Sequence, residues 1–510
     1  MNRTVRMELL PLGRGLEVIS GTPLLEVLFP LGVEFPCGGR GKCKGCRVRL
    51  IEGRLDPTPE DRQILKPEEL ADGWRLACRA RALTDLKIEI AQWEAAILGD
   101  DTPFAFHPQE GLGVAVDLGT TTVVAQLLDL RTGRVQGVRT GLNAQARHGA
   151  DIMSRIDFAL TPEGADQLRD LIRRQIGDLI RDLLDEAGRE APALPGRSEL
   201  RKVVLVGNTV MHHLFCGLNV APLAHHPFEP EQDGLMVFPA EQLGWGAAGR
   251  AETVFLPCLG SFVGSDILAG LLATRLHESA ALVALVDLGT NGEMVVGNRD
   301  RMLCASTAAG PAFEGARISM GMRAATGAIS AAFVEDGALR CEVIGNTAPR
   351  GLCGSGLVDV VAGALDLGWI LPSGRLAHGA RELALVDSVR LSGADVRELQ
   401  LAKGAIAAGL GLLLEQRGAR LEDLTRVHLA GAFGNYINRQ SARRIGLLPF
   451  GPERTEPAGN TALLGAKLAL GSTEGTDLTF AALRARIRHV SLNDDPRFHE
   501  VYVDHMGFPG

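Results

Sequence analysis

Val116-Asp117-Leu118-Gly119-Thr120 returns unchanged as Val286-Asp287-Leu288-Gly289-Thr290. Each copy closes an apolar run (Val114 to Val116; Leu282 to Val286) and leads into a second one (Val123 to Leu128; Met294 to Val296). Turn residues then follow, Arg131 to Arg134 in the first copy and Asn298 to Asp300 in the second. A unit repeated at domain spacing predicts two hairpins of one design, each opening its own half of the molecule. From Gly113 onward strands and helices alternate, which predicts a layered α/β architecture with a cleft between the halves.

The hairpin motif carries chemistry as well as shape. Asp-x-Gly-Thr after an apolar strand sets a carboxylate at the strand end, a glycine where backbone must approach phosphate, and hydroxyl and amide donors beyond it. Asp117 and Asp287 are candidates to hold Mg²⁺ through waters, because this ion keeps much of its hydration shell. Gly119, Thr120, Thr121 and Thr122 would grip phosphates from one side, and Gly289, Thr290, Asn291 and Gly292 from the other. One such motif alone is readily an ordinary Asp-Gly turn, whereas two identical copies favour nucleotide binding. Asp151 and Glu293 are the candidates for a water-activating base. The sequence has neither a G-x4-G-K-[ST] loop nor a strand-borne G-x-G-x-x-G, so dinucleotide hydride chemistry has no support.

Four of the nine cysteines fall in the first 78 residues, as Cys37-x5-Cys43-x2-Cys46 followed by Cys78. A glycine-rich loop lets three thiolates come from one short segment while its amides donate to sulfur, and Gly38, Gly39, Gly41 and Gly45 supply that freedom. A [2Fe–2S] cluster ligated by Cys37, Cys43, Cys46 and Cys78 is the favoured reading. Zinc is the main rival, against which stands the single C-x2-C pair, and disulfides are a weaker third. Cys216, Cys258, Cys304, Cys341 and Cys353 have no close pairing and read as small buried hydrophobes.

Composition narrows the function classes. The 510 residues are 46% hydrophobic and 22% charged, an ordinary globular balance. Aromatic residues are only 5%, and 53 basic against 61 acidic residues leave a net charge of −8, so no nucleic-acid footprint is expected. Val203 to Phe228 runs 26 residues without a charge, yet Asn208, His212, His213, Asn219, His225 and His226 would lack polar partners in lipid. Arg3, Arg6, Glu8 and Arg14 break any apolar signal core at the N-terminus. A soluble cytoplasmic protein with no membrane contact is the expectation.

These signals divide the chain into a module at 1–92, a linker at 93–112, a first half at 113–282 and a second at 283–510. In the module, Val5 to Pro11, Leu16 to Ser20, Arg47 to Glu52 and Leu86 to Ile90 read as strands and Pro23 to Leu31 as a helix. Apolar residues at 168, 171, 172, 176, 179, 180, 183 and 184 predict a core-packing helix over Leu168 to Leu184. His212 and His213 sit side by side, diverge on a helix and read as structural or cleft-lining rather than metal-binding. Gly310 to Ala316 and Gly351 to Gly356 read as glycine turns at strand–helix junctions, and Ser355 as a packing residue rather than a nucleophile.

On these motifs the C-x5-C-x2-C loop resembles adrenodoxin-like ferredoxins, which implies a β-grasp fold. The paired hairpins resemble the actin, Hsp70 and sugar-kinase superfamily, in which two RNase H-like halves close over ATP. That resemblance puts an adenosine contact at the strand and turn of His428 to Gly434, with Gly431 and Gly434 in it, and a connecting helix after Gly459-Asn460-Thr461-Ala462.

As a whole, the chain is similar to the reductive activators of corrinoid enzymes, through Cys37 to Cys78, Gly113 to Thr122, Val206 to His213, Asp287 to Glu293, Gly310 to Arg323 and Ala430 to Asn435. The resemblance implies that the cluster returns Co(II) corrinoid to Co(I) with ATP and Mg²⁺. Its partners would be a corrinoid protein or methyltransferase and an external electron donor, and a homodimer is allowed. Two other readings stay open: a redox-sensing small-molecule kinase, and a ferredoxin-type scaffold without energy coupling.

Overall fold

The computed structural model describes residues 3–10, 14–31, 33, 35, 39–42, 44, 46–90, 104, 106–149, 151–190, 199–289, 291–315, 317–471 and 476–510. Cys37, Cys43, Gly38, Gly45, Thr290, Ala316 and most of the expected linker lie outside them.

The N-terminal module is one sheet of five strands around a short helix. Its strands are β1 (Thr4–Leu10), β2 (Arg14–Ile19), β3 (Arg47–Glu52), β4 (Trp74–Leu76) and β5 (Leu86–Ile90), in the order β2-β1-β5-β3-β4. The β1–β5 pair is parallel and its neighbours are antiparallel, the β-grasp arrangement. Strict alternation turns Val5, Met7 and Leu9 of β1, and Leu86, Ile88 and Ile90 of β5, onto one core with Leu24 and Leu28 of α1 (Leu24–Leu28). The proline-rich acidic stretch, unassigned from sequence, forms α2 (Pro59–Ile64) and α3 (Pro67–Ala71). Each has proline at its first position, where no amide hydrogen is needed, and Thr58 and Asp61 cap α2 reciprocally.

The remainder is built twice. In the first half, β6 (Leu112–Leu118), β7 (Thr122–Asp129) and β8 (Arg134–Leu142) form an antiparallel meander. Next come β9 (Leu200–Gly207), β10 (Met236–Pro239) and β11 (Glu252–Phe255), giving the order β8-β7-β6-β9-β11-β10 with β9 and β11 parallel to β6. The second half repeats the meander in β12 (Val283–Leu288), β13 (Gly292–Gly297) and β14 (Met302–Thr307). Parallel strands β15 (Arg426–Ala430) and β16 (Thr455–Gly459) then extend it from β12. A final strand, β17 (Ile487–His489), adds to the far edge beside β14. The duplicated α/β fold expected from the repeated pentapeptide is present.

Helices cover both faces of these sheets. In the first half they are α4 (Ile152–Ala159), α5 (Pro162–Glu190), α6 (Thr209–Cys216) and α7 (Ser265–Thr274). The second half contributes α8 (Gly354–Asp366), α9 (Gly393–Arg417), α10 (Gly431–Tyr436) and α11 (Thr461–Leu470). Helix α5 overruns the expected Leu168 to Leu184 at both ends: the Thr161 hydroxyl caps its start before Pro162, and its polar outer turns carry no apolar period. The uncharged Val203 to Phe228 stretch becomes most of β9 and α6 inside the core and then a loop on which His225 and His226 are exposed, and among the described residues no helix is long and apolar enough to cross a membrane. Where a linker was expected, Phe104 and residues 106–111 lie on the second unit, with Phe104 under the Lys467 ammonium at 5.4 Å and Gln109 donating to the Leu130 carbonyl.

Two helices cross between the halves. Helix α11 follows β16 in the chain, yet it packs on β6 and β9 of the first sheet and against α7. The approach is close enough that a Cβ on Gly465 would stand 2.2 Å from the Ala269 carbonyl oxygen. Val204, Val206, Leu268, Leu285, Val295, Leu463 and Ala466 therefore share one core drawn from both halves.

Candidate functional site

Both hairpins end at the cleft floor, and their carboxylates converge there. Asp117 is the penultimate residue of β6 and Asp287 that of β12. Directly across the ladder from Asp287 lies Glu293, whereas Asp117 faces Val124, so the second hairpin is one residue shorter and carries an extra acid. Asp266, in the first turn of α7, adds a fourth carboxyl between them.

Crowding and dehydration set the charge state of this group. Burial pushes the Asp117 carboxyl up to about 6, partly opposed by a hydrogen bond from Asn460. Burial and then the Asp117 charge push Asp287 up to about 7. Asp266 rises to about 8 through burial and then the Asp287 charge, and Glu293 is held well above the ordinary carboxylate range by burial and by Asp266. Four acids crowded into one cleft without a cation favour the protonated form. A divalent ion would reverse that preference, which is the charge such a site is suited to hold.

The first turn is fixed from behind. Gly119 donates its amide to the Thr122 carbonyl, and a Cβ there would stand 2.7 Å from that oxygen, so glycine is required for the tight turn. Asn208 caps α6 by accepting from the Met211 amide, which orients its own NH2 toward the Thr120 hydroxyl at 2.8 Å. Asn460 does the same at α11: it accepts from the Leu463 amide and donates to Asp117 Oδ2 at 3.0 Å, across the cleft. The cap thus settles which end of each amide faces the site. Arg155, fully buried, donates to the Thr120 carbonyl, and Asn143 holds the Gly119 carbonyl at 2.9 Å.

In the second half the Gly289 amide bonds the Asn291 carbonyl at 3.1 Å, and the Gly292 carbonyl accepts from the Thr307 hydroxyl. Gly431 opens α10 at φ 81°, and a Cβ there would come within 2.6 Å of Asp287 Oδ1. Gly434 packs against Leu429, so this turn lies directly beside the second carboxylate. Thr121 and Asn291 lie in the two hairpin turns beside Gly119 and Gly289, Thr122 and Gly292 open the second strand of each hairpin, and Thr290 lies outside the described residues.

Other expected residues stand apart. Asp151 caps α4, with one oxygen accepting from the Ser154 amide and the other from its hydroxyl, so both oxygens are spent on the helix end rather than turned to the cleft. His212 and His213 are buried, bonded to the Gly234 and Thr209 carbonyls, and burial pushes His212 down to about 3, so it is neutral and structural. Gly354 and Gly356 let α8 abut the Phe313 and Ile329 carbonyls, and the Ser355 hydroxyl bonds the Ser330 carbonyl, which leaves it a packing residue.

Sequence reasoning missed Asp266, Asn208, Asn143 and Arg155 and took Asn460 only as a helix start. A signal existed for two of them: Gly207-Asn208-Thr209 and Gly459-Asn460-Thr461 are the same triplet behind a strand. The triplet also occurs at 345–347, one residue beyond a strand, so it is the helix that Asn208 and Asn460 each cap, not the strand before, that makes it informative.

At the other pole, Cys46 precedes β3 and Cys78 follows β4, and these strands pair through Arg47 and Leu76. The Cys46 carbonyl accepts from the Ala77 amide at 3.1 Å, which brings the two described cysteines to adjacent strand ends. Upstream of Cys46, Gly39 and Gly41 take positive φ, 75° and 67°, a conformation glycine adopts without strain. Thiolates beside a glycine loop of this kind fit an iron–sulfur cluster.

Three family models match the chain. They are the 2Fe-2S iron-sulfur cluster binding domain over residues 8–83, the RACo middle region over 112–279, and the C-terminal, ASKHA domain of RACo over 281–510. The corrinoid activation enzyme RamQ of Eubacterium limosum is 36% identical over 419 residues, covering 77% of this chain and 69% of its own. The [Co(II) methylated amine-specific corrinoid protein] reductase of Methanosarcina barkeri is 28% identical, covering 78% and 77%. A solved structure of a reductive activator for corrinoid,iron-sulfur protein has TM-score 0.69 and 27% identity, over 99% of this chain and 98% of that one.

Proposed function

The chain belongs to the RACo family, and we propose that it is an ATP-dependent reductive activator that returns the Co(II) corrinoid of a methyltransferase-system protein to Co(I). The observation that carries this reading is the union, in one chain, of a ferredoxin sheet with a cysteine loop and a two-halved cleft lined by four carboxylates. The 2Fe-2S domain supplies a one-electron carrier, and the ASKHA domain supplies the ATP site.

Cys37, Cys43, Cys46 and Cys78 are the proposed ligands of the cluster. Asp117 and Asp287 are the proposed holders of Mg²⁺. They would hold it through its waters, because this cation keeps much of its hydration shell. Gly119, Thr120, Thr121 and Thr122 face the phosphates from one half, and Gly289, Thr290, Asn291 and Gly292 from the other, with Gly431 and Gly434 toward the adenosine. Glu293, protonated when the cleft is empty and released by the cation's charge, is the proposed water-orienting base. Asp151, directed at the end of α4 by its two bonds from Ser154, is not proposed for that role.

ATP is needed because each 59 mV of unfavourable potential costs about tenfold in equilibrium for one electron. Plant-type clusters near about −400 mV are not reducing enough by themselves for a demanding acceptor. The partners are a corrinoid protein and an external electron donor, in the cytoplasm.

The test uses full-length protein, a corrinoid protein held as Co(II), a reductant and Mg-ATP. The wild type should generate the Co(I) absorbance only with ATP. Cys46→Ala should lose the visible cluster spectrum and the reduction while still binding nucleotide, and Asp287→Asn should fail with its cluster reduced. Equal reduction rates with and without ATP would refute energy coupling and leave an electron-transfer scaffold.

A further inference from the structure

The ferredoxin module is seated on both halves of the ATPase. Its core takes in Leu142, the last residue of β8, and Ala146 of the following turn, and the Arg147 guanidinium lies 4.8 Å over the Phe29 ring. On the other side Arg350, from the second half, donates to Glu89 Oε1 at 2.8 Å and to the Ile90 carbonyl at 3.3 Å, at the end of β5.

The seat on the first half is continuous with the phosphate turn. Between Leu142 and Ala146 stands Asn143, which has no exposed surface. Its amide donates to the Thr121 carbonyl at 2.8 Å and its Nδ2 to the Gly119 carbonyl at 2.9 Å. Its Oδ1 accepts from the Gln145 amide, which fixes the side-chain orientation. Gln145 in turn accepts from Arg155, the residue that holds the Thr120 carbonyl. Two carbonyls of the turn at 119–121 are therefore tied directly to the short segment that the ferredoxin module touches, and the third is tied to it through Arg155.

We infer that residues 142–147 couple the two modules: seating the ferredoxin on Leu142 and Ala146 holds Asn143 in place and keeps the phosphate turn formed, and phosphate at that turn strengthens the seating in return. This rests on reading the turn as a phosphate site. The physical basis is reciprocity, since a contact that changes nucleotide affinity must be changed by nucleotide to the same factor. Removing the module exposes Leu142 and Ala146 to water and leaves the segment that carries Asn143 held from one side only, by Gln175 and the Leu168 carbonyl of α5, so nucleotide affinity falls.

The test loosens the seat at points outside the nucleotide site, in the full chain. Arg350→Glu repels Glu89, and Ala146→Glu adds a charge under the module. The double exchange Glu89→Arg with Arg350→Glu restores the ion pair. Spin labels at exposed Leu83 and Val237 report the distance between module and first half, and equilibrium titration reports Mg-ATP affinity.

Arg350→Glu with Ala146→Glu should broaden the distance distribution and weaken Mg-ATP binding at least about fivefold. The exchange variant should recover wild-type affinity, and a non-hydrolysable ATP analogue should narrow the wild-type distribution. A module that stays seated in the doubly charged variant, or comes away with affinity within twofold of wild type or higher, overturns the inference. Failure of wild-type protein to bind Mg-ATP at all refutes the phosphate reading and this inference with it.

Discussion

Replacing Asp287 by Asn should stabilise the empty protein while stopping its chemistry. In the cation-free cleft, burial and the Asp117 charge raise the Asp287 carboxyl from 3.8 to about 7. At about 1.4 kcal/mol per unit, ionising it in the folded state costs up to about 4 kcal/mol relative to the unfolded chain. Asp287 borders the open cleft, where water screens part of this, so a net gain of about 2 kcal/mol is the expected size. The sign follows from proton binding: the folded state holds this proton more tightly than the unfolded state, so wild-type stability declines as pH rises between about 4 and 7. Asparagine cannot ionise, so the variant escapes that decline.

Its advantage should be absent below about pH 4, grow through neutrality and level off above about pH 8. Thermal melting of nucleotide-free protein in a chelator, from pH 5 to pH 8, measures it at about 2–4 °C per kcal/mol for a domain of this size. Phosphate release with Mg-ATP should fall by about a hundredfold, because the group lost is a proposed holder of the Mg²⁺ that neutralises the transferring phosphate. A variant that melts below the wild type at pH 8 would show that Asp287 is a structural acid whose charge is already compensated, and the reasoning would fail.

Two further perturbations probe the contact between halves. Asn460→Ala removes both the cap of α11, worth about 1 kcal/mol, and the donor to Asp117, whereas Asn460→Ser keeps the cap. In both variants the acid limb of the ATPase pH profile should move to higher pH, since the bond that lowers Asp117 is gone; an unmoved profile would detach Asn460 from the site. Gly465→Val should force α11 off α7, because the Ala269 carbonyl would stand 2.2 Å from the new Cβ. A stability loss of about 3 kcal/mol or more, with ATPase loss exceeding that of Asn460→Ala, is expected by melting and phosphate release.

Features that depend only on neighbours along the chain were legible before folding. Period-two alternation set β3 at Arg47–Glu52 and β5 at Leu86–Ile90 to the residue, and the repeated pentapeptide gave two meanders ending in Asp117 and Asp287. The order of glycine and cysteine around Cys46 announced a ligand loop because backbone freedom and thiol spacing are local properties. Tertiary structure alone decided that Asp266 and Glu293 join the first two acids, and that Asn460 reaches Asp117 across 343 positions of chain. It also decided that Asp151 is turned away to cap a helix, and that the ferredoxin module rests on Leu142 and Arg350. The physical reason is the crossing of α7 and α11: one glycine contact at Gly465 sets how closely the halves approach, and side chains converge only where that approach puts them. Periodicity records which face of an element is buried, but it carries no information about what is packed against that face.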